Sequence, residues 1–294
     1  ELPRPVPCPT LAVGGHMKNT IALAWEDRVV ISPHIGELDS PRSQAVFEQV
    51  IDDLCRLYRV TPQRIVHDAH PGYASTRWAV ERARAQDLLM QPVFHHHAHA
   101  AIVAGECAGA DPWLVFAWDG TGYGEDGSIW GGEALLGRPG RWRRVGSFRP
   151  FRLPGGDKAG REPWRSAAAL AWALGFDWRP AGIDVDLARE AWQRGINTPT
   201  SSAVGRLFDA CAALAGLPAV TSFEAQAPML WESAARYTDT ATGDALPIDA
   251  QDGLLLVDWA PLVGLSMDNS RSIADRGTAM HAILAATLVE QARQ

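Results

Sequence analysis

The spacing of apolar and polar residues changes along the chain in a way that predicts alternating strands and helices. Short apolar runs bounded by turn residues predict strands in TLAVGGHMKNTIALAWEDRVVIS (10–32), with a hairpin turn at Glu26-Asp27. In SPRSQAVFEQVIDDLCRLYRV (40–60), apolar residues instead recur every three to four positions, and Ser40-Pro41 is typical of a helix start. The amino-terminal segment therefore predicts a small set of strands followed by a helix.

The same alternation continues through the rest of the chain. Strand, glycine turn, strand and strand, followed by helices and strands, occur twice, which predicts two related α/β lobes with a cleft between them. We place the boundary near 110, in a Gly-Ala-Asp-Pro link, giving lobes of 1–110 and 111–294. The further predicted strands are RIVHDAHPG (64–72), PVF (92–94), two strands joined by a glycine-rich turn in WLVFAWDGTGYGEDGSIWGGEALLG (113–137), and WRRVGSFRPF (142–151). The further predicted helices are ASTRWAVERARAQ (74–86), a helix that starts at HHHAH (95–99), REPWRSAAALAWALG (161–175), SSAVGRLFDACAALAGL (201–217), FEAQAPMLWESAARY (223–237) and SIADRGTAMHAILAATLVEQARQ (272–294).

Composition narrows the classes of function. A formal net charge of −7 over 294 residues argues against wide contact with a nucleic-acid backbone. No stretch approaches the roughly 18 apolar residues of a membrane-spanning helix. The four cysteines are scattered without a C-x-x-C pair, which favours reduced thiols in a cytoplasmic protein. Because the chain begins with Glu1, we expect a fragment of a longer polypeptide.

The segment FHHHAHAAI (94–102) holds four histidines within five positions, out of nine in the chain. In a helix, His95 and His99 lie one turn apart on the same face, close enough to bind one ion. Imidazole pairs at this spacing bind zinc or iron, and a strand-to-helix junction suits a site in an α/β fold. The alternative is a helix start whose imidazoles cap, stack and face solvent. We favour a metal site, with Asp119 from a distant segment as the third ligand.

Glycine-rich stretches are candidate anion-binding segments. DGTGYGEDG (119–127) combines four glycines with the hydroxyl of Thr121, so that backbone N–H groups can face an anion. Gly14-Gly15, followed by Lys18, occupies a matching turn in the first lobe. Taken alone, DGTGYGEDG also fits an ordinary hairpin turn. Because the chain has neither a Walker A motif nor G-x-G-x-x-G before a helix, the pair predicts a nucleotide held by paired strand–turn–strand loops.

Two later segments carry polar groups that suit nucleotide binding. In PGGDKAGREPWR (154–165), a carboxylate beside glycines suits a ribose hydroxyl, and the cations suit phosphate; a solvated charged loop is the alternative. NTPTSSAVGRLFDA (197–210) predicts a helix capped by Ser or Thr, whose N-terminus is an anion site.

Taken in order, seven motifs resemble a known family. They are KNT (18–20), HPGYASTRWA (70–79), HHHAH (95–99), WDGTGYGEDGSIWGGE (118–133), LPGGDKAGREPWR (153–165), NTPTSSAVGRLFDA (197–210) and SFEAQA (222–227). Over about residues 10 to 285 the chain resembles the Kae1-like domain of HypF carbamoyltransferases, which mature [NiFe] hydrogenases.

The resemblance implies a two-lobed α/β fold of the actin/Hsp70/sugar-kinase class, with a nucleotide cleft between the lobes. In the family, carbamoyl phosphate and ATP give carbamoyl-adenylate. The Kae1-like domain passes its carbamoyl group to the C-terminal cysteine of HypE, and the product supplies the cyanide ligands of the hydrogenase iron. We therefore expect a cytoplasmic carbamoyltransferase whose partners are the HypE tail and carbamoyl-adenylate, with no nucleic acid and no membrane.

The resemblance also assigns roles position by position. His95, His99 and Asp119 match the ligands of a divalent metal, iron or zinc, and Lys18 and Asp119 match catalytic positions. His96 and His97 belong to the motif but are expected to face away from the metal. The positions that match the adenylate and carbamoyl site are Gly14, Gly15, Thr121, Gly122, Asp157 and Lys158.

The chain also departs from the family pattern. We find no counterpart of the C-terminal SGGVFQN and NDGG segments, the second of which holds a further metal-ligating aspartate, nor of the zinc-finger, acylphosphatase and YrdC-like parts. Gly72 stands where the family usually has Asp, and Ala225 where it usually has Gly. Two alternatives stay open: a small-molecule O-carbamoyltransferase, which shares the H-x-x-x-H and DGTG-like features, and a nucleotide-binding module that only docks a maturation factor.

Overall fold

The computed structural model describes residues 1–107, 109, 111–235 and 243–294, and for Asp157 the backbone alone. The chain forms two compact units, Glu1–Ala110 and Asp111–Gln294. Ala110, at the predicted boundary, lies outside the described residues. Within the described ranges, no helix has the length and apolar character needed to cross a membrane.

The first unit consists of one sheet and three helices among its described residues. Its elements are β1 (Thr10–Ala12), β2 (Ala22–Trp25), β3 (Arg28–Ile31), α1 (Pro41–Tyr58), β4 (Arg64–Asp68), α2 (Ala74–Gln86), β5 (Leu89–Val93) and α3 (His95–Glu106). The strand order is β3-β2-β1-β4-β5. Strands β2 and β3 form the predicted hairpin, whereas β1, β4 and β5 run parallel.

The parallel strands of the first unit bring their carboxyl ends to the same edge of the sheet. The Gly14-Gly15 turn follows β1, Asp68 is the last residue of β4, and His95 begins α3 directly after β5. Ligand sites of open α/β sheets lie beyond the carboxyl ends of such strands. The fold therefore gathers three sequence motifs at one edge.

Helix α1 illustrates why the local sequence signals were reliable here. The hydroxyl of Ser40 accepts a hydrogen bond from the Ser43 backbone N–H at 3.1 Å, and the Ser43 hydroxyl accepts from the Ser40 N–H at 3.2 Å. This capping box satisfies two backbone donors at the helix start. One turn apart, Phe47 and Ile51 are both buried against the sheet. The predicted start at Ser40-Pro41 is confirmed.

The second unit has a mixed sheet covered by apolar helices. Its elements are β6 (Trp113–Tyr123), β7 (Ile129–Arg138), β8 (Arg141–Phe148), β9 (Phe151–Arg152), a 3-10 helix (Gly156–Gly160), α4 (Trp164–Ala173), α5 (Asp186–Arg194), β10 (Thr200–Ser201), α6 (Val204–Leu214), α7 (Gln226–Ala234), β11 (Ile248–Gln251), β12 (Leu254–Val257), α8 (Ala260–Met267) and α9 (Ile273–Arg293). The strand order is β11-β12-β8-β7-β10-β9, and β6 pairs with β7. Helices α4 and α6 are almost wholly buried at the centre of the core.

Three sequence expectations for the second unit need correction. Helices α5 and α8 and the short strands β9 to β12 were not predicted as separate elements, because their patterns are brief. Between β11 and β12 the sequence did carry a signal: Asp252-Gly253, with φ +50° and +81°, forms a two-residue hairpin turn. Helix α4 begins at Trp164 and not at Arg161. The DGTG segment is not a turn: it continues strand β6, and the turn itself is Gly124–Ser128.

Candidate active site

The two histidines predicted to share an ion face each other on α3. The Nε2 atoms of His95 and His99 lie 3.2 Å apart, and the ring planes are nearly perpendicular, at 78°. His99 is exposed and His95 is half-buried. The i, i+4 spacing of the helix produces this geometry, because residues four apart stack on one face. Two imidazole nitrogens this close are spaced so that one metal ion can bind both.

The other two histidines of the motif have different surroundings. His96 is fully buried, as expected for a residue that faces the protein interior. His97 is partly buried and packs edge-on against Phe94, with 5.6 Å between ring centroids. The centroid of the His96 ring lies 5.4 Å from that of His95 and 6.0 Å from that of His99, so His96 packs beside the pair, and the expectation that His96 and His97 face away from a metal stays a prediction.

A carboxylate that sequence analysis did not single out lies beside this pair. Asp68 ends β4, and its Oδ2 lies 3.3 Å from Nδ1 of His95. Its Oδ1 accepts a hydrogen bond from the His70 backbone N–H at 2.8 Å. The signal available in the sequence was its place at the carboxyl end of a buried strand, immediately before the HPGY segment.

The Gly14-Gly15 turn is held by contacts within its own segment. Gly14 has φ +66°, and a Cβ there would lie 2.3 Å from the Thr20 carbonyl oxygen. The buried Asn19 side chain donates hydrogen bonds to the carbonyls of Val13, at 2.9 Å, and Gly15, at 2.6 Å. Lys18 lies on the exposed side of this turn with φ +49°. The Asn19 hydrogen bonds hold the turn, and Lys18 follows it in the left-handed region that non-glycine residues rarely adopt.

In the second unit, the predicted site residues of DGTG lie in a bulge of β6. The register with β7 shifts between Trp118 and Gly122, so Asp119, Gly120 and Thr121 have no direct partner residue on β7 in this ladder. The Asp119 carboxylate accepts a hydrogen bond from the Gly120 N–H at 2.5 Å. Bulges of this kind reorient side chains at functional sites.

Buried charges lie against the glycine of this bulge. A Cβ on Gly120 would meet Glu224 Oε1 at 2.9 Å and an Arg206 guanidinium nitrogen at 3.0 Å. The same guanidinium lies 3.2 Å from Glu224 and 3.1 Å from Asp209. Burial raises the pKa of Asp209 to about 7, although Arg206 opposes this shift. Sequence analysis missed this cluster because Arg206 and Asp209 come from one motif, whereas Glu224 and Gly120 come from two others.

The PGGDKAGREPWR segment forms a tight 3-10 turn. Gly155 has φ +87°, and a Cβ there would lie 2.6 Å from a terminal guanidinium nitrogen of Arg165. The Nε atom of the same arginine lies 2.6 Å from the Glu162 carboxylate. Lys158 is exposed. The side chain of Asp157 lies outside the described part of the chain.

The expected Ser or Thr cap of the helix in NTPTSSAVGRLFDA, which is α6, is wrong. The N-cap of α6 is Ala203, which makes no side-chain cap. The hydroxyl of Ser202 instead donates to the fully buried carboxylate of Glu133, and the Ser201 hydroxyl accepts from the Ala203 N–H at 3.2 Å. The Ser202 hydroxyl is directed into the core, where its proton has a charged acceptor in Glu133.

Both units match families of known proteins. Residues 6–106 match the family described as the HypF Kae1-like domain, and residues 115–294 match the second subdomain of the carbamoyltransferase Kae1-like domain. The crystal structure of a full-length HypF in its phosphate- and nucleotide-bound form superposes with a TM-score of 0.88 and 29% identity, over 99% of this chain and 46% of that one. These matches define the class: an α/β protein of the Kae1-like type, as predicted.

Individual relatives then give the family. Carbamoyltransferase HypF of Synechocystis sp. is 37% identical over 92% of this chain and 38% of its own length. Carbamoyltransferase HypF2 of Cupriavidus necator is 41% identical over 76% of this chain and 28% of its own. The chain belongs to the HypF carbamoyltransferase family, and it spans less than half the length of these relatives.

Proposed function

We propose that this chain performs the carbamoyl-transfer step of a HypF carbamoyltransferase in [NiFe]-hydrogenase maturation. The carbamoyl group of carbamoyl-adenylate, made from carbamoyl phosphate and ATP, passes to the C-terminal cysteine of HypE, in the cytoplasm. Membership of the family supports the reaction class. The observation that carries the proposal is the His95–His99 pair, because it supplies two adjacent metal-ligand atoms in the family's motif.

The histidine pair fits a divalent metal, iron or zinc. The two Nε2 atoms lie 3.2 Å apart, and two nitrogens held at about 2.1 Å from one tetrahedral ion lie about 3.4 Å apart. We assign Asp119 as the third ligand because its motif resembles the family's, and imidazole with carboxylate is a donor set that both metals accept. When bound, the ion supplies Lewis-acid polarisation of the carbonyl or phosphate oxygen that gains charge.

The glycine segments and lysines are proposed to bind the adenylate. A phosphate- and nucleotide-bound relative with the same fold supports a nucleotide site. Gly14 and Gly15 shape the first turn, and exposed Lys18 stabilises the charge that develops on the reacting oxygens. In the second unit, Thr121 and Gly122 line the adenylate, Lys158 contacts its phosphate, and Asp157 binds the ribose hydroxyl.

The reaction needs no nucleophile from this chain. Carbamoyl-adenylate is a mixed anhydride, so the acceptor thiolate attacks the carbonyl carbon, the bond to the phosphate oxygen breaks, and AMP leaves. The chain's residues align the two reactants and stabilise the leaving phosphate. The buried thiol of Cys211 does not compete: burial raises its pKa to about 12, which keeps it protonated.

The test is transfer to a peptide with the C-terminal sequence of HypE. Carbamoyl-adenylate is generated in the reaction by the remaining domains of a HypF relative, and mass spectrometry follows addition of one carbamoyl group. We expect His95→Ala and His99→Ala to lose the bound metal and the carbamoyl transfer. The fall in metal affinity and in transfer rate should exceed about 100-fold, which is the largest loss typical for removing a residue that only supports a metal ligand. His97→Ala, on the same helix but away from the pair, is the matched control and keeps both.

Each other outcome points to a different function. Full metal content in both histidine variants contradicts the ligand assignment. Transfer to an aminoglycoside but not to the peptide indicates a small-molecule O-carbamoyltransferase. If the unaltered chain binds neither metal nor AMP in calorimetry, a docking role replaces the enzymatic one.

A further inference from the structure

Asp68 is not one of the proposed metal ligands, but its contacts indicate a role next to them. The Asp68 side chain is only 6% exposed, although it lies at the edge of the sheet where the histidine pair is half open to solvent. Its two oxygens have different partners: the backbone N–H of His70 for Oδ1 and the ring of His95 for Oδ2. A buried carboxylate is expensive to keep without such partners.

The sheet fixes the position of Asp68 relative to His95. In the parallel pairing of β4 with β5, Asp68 is opposite Val93, two residues before His95. The Ala69 N–H donates to the Val93 carbonyl at 2.9 Å, and the Thr76 hydroxyl donates to the Asp68 carbonyl at 2.9 Å. Backbone pairing and α2 therefore hold the carboxylate in place independently of the histidine.

This contact decides which nitrogen of His95 is available as a ligand. An ionised carboxylate only accepts hydrogen bonds, so the Nδ1 atom that faces Asp68 carries the proton. The lone pair of the neutral ring is then on Nε2, the atom that faces His99. Without a fixed acceptor at Nδ1, the two tautomers of an imidazole are close in free energy and the ring is free to turn.

We propose that Asp68 is a positioning residue, which holds the His95 ring with Nδ1 protonated so that Nε2 is presented as a metal ligand. The inference rests on the proposed metal site. A carboxylate bound to the far nitrogen of a ligating imidazole fixes the ring and increases the basicity of the ligand atom. Asp68 itself touches neither substrate nor metal in this role.

The chain contains a second aspartate–histidine pair that serves as a matched control. Asp39 lies 2.6 Å from Nε2 of His16, also in the first unit, and is 68% exposed. Nδ1 of His16 accepts from the Ala74 N–H at 3.4 Å, so this ring faces backbone on its other side. Removing the Asp39 charge therefore changes an aspartate–histidine contact of the same kind and leaves His95 and His99 on α3 unaltered.

The experiment compares Zn²⁺ affinity, by competition with a chelator, for the full chain and for Asp68→Asn, Asp39→Asn and His95→Ala. The single acceptor oxygen of an asparagine can occupy only one of the two oxygen positions of Asp68, of which one faces the His70 N–H and the other Nδ1 of His95. We expect Asp68→Asn to weaken Zn²⁺ binding by about 10- to 100-fold and Asp39→Asn to leave it unchanged, with circular dichroism showing both variants folded.

A second measurement needs no substitution at Asp68. Ring nitrogen chemical shifts of ¹⁵N-histidine in the unaltered, metal-free chain report the tautomer, and the His95 signals are those that disappear in His95→Ala. We expect Nδ1 of His95 to be protonated. The opposite tautomer overturns the inference, as does unchanged Zn²⁺ affinity in Asp68→Asn when His95→Ala has lost it. Retention of Zn²⁺ by His95→Ala instead contradicts the metal site itself.

Discussion

The histidine helix of the first unit and the glycine-rich strand of the second are held in place in different ways. His95 and His99 meet because a helix places residues four apart on one face, and both rings remain at least partly open to solvent. The bulge at Gly120 is shaped by side chains from distant segments, among them Arg206 and Glu224. The first region depends on local geometry, and the second on tertiary packing.

The glycine contacts of the second region leave almost no free space. A Cβ on Gly131 would lie 2.6 Å from the Asp119 carbonyl oxygen, and a Cβ on Gly205 would lie 2.7 Å from the Gly120 Cα atom. Substitutions in this region should therefore lower the free energy of unfolding. Substitutions of the histidine pair should change metal content while leaving the fold intact.

The largest effect is expected from Glu133→Gln. Glu133 is fully buried and pairs with Arg144 Nε at 2.6 Å, while accepting from the Ser202 hydroxyl. Removing one partner of a buried ion pair costs about 3–5 kcal/mol in the free energy of unfolding. Because Arg144 keeps a second carboxylate, Asp126 at 3.0 Å, we expect a loss at the lower end of that range, about 3 kcal/mol. Denaturant titration measures it. The control Glu190→Gln breaks an exposed pair with Arg194 and should cost less than about 0.5 kcal/mol; equal losses would contradict the comparison.

A smaller effect is expected from Gly205→Ala in α6. The added Cβ meets backbone atoms of the bulge, which cannot move aside as a flexible side chain can, so we expect a loss of about 2–3 kcal/mol. Gly264→Ala in α8 is the matched control, because nothing lies within 4 Å of its Cβ position. There alanine should stabilise the helix by up to about 1 kcal/mol. Similar melting temperatures for the two variants would show that the contact is not tight.

The smallest effect is a pH dependence at Asp209. Burial raises its pKa from 3.8 to about 7, so the folded chain keeps a proton that the unfolded chain has lost. The resulting stability is fully present below about pH 4 and is lost as the pH rises through 7. Between pH 5 and 7 we expect a loss of about 2 kcal/mol from this group.

Denaturant titration of Asp209→Asn at both pH values checks this dependence. The variant should lose less stability over the interval than the unaltered chain does. Asp249→Asn, at an exposed position on β11, is the control and should keep the full pH dependence. An unchanged slope in Asp209→Asn would contradict the assignment.

Much of the candidate site in the first unit could be predicted from sequence. The apolar spacing gave α1, α2 and the strands that bring Gly14 and His95 to one edge, and the i, i+4 spacing placed His95 opposite His99. These features follow from backbone hydrogen bonding and the period of side chains along a helix or strand, which depend on neighbouring residues. Asp68 was missed because its importance arises from the pairing of β4 with β5.

Sequence alone determined the order of the main elements, the shared face of the histidine pair and the membership of the family. Only the tertiary structure decided that DGTG continues a strand through a bulge, that α6 begins at Ala203 without a Ser cap, and that Arg206 lies beside Gly120. The physical reason is the same in each case. The free energy of a buried charge or of two closely packed backbones depends on contacts with residues far away in the chain. These contacts override the structural preference of the local segment.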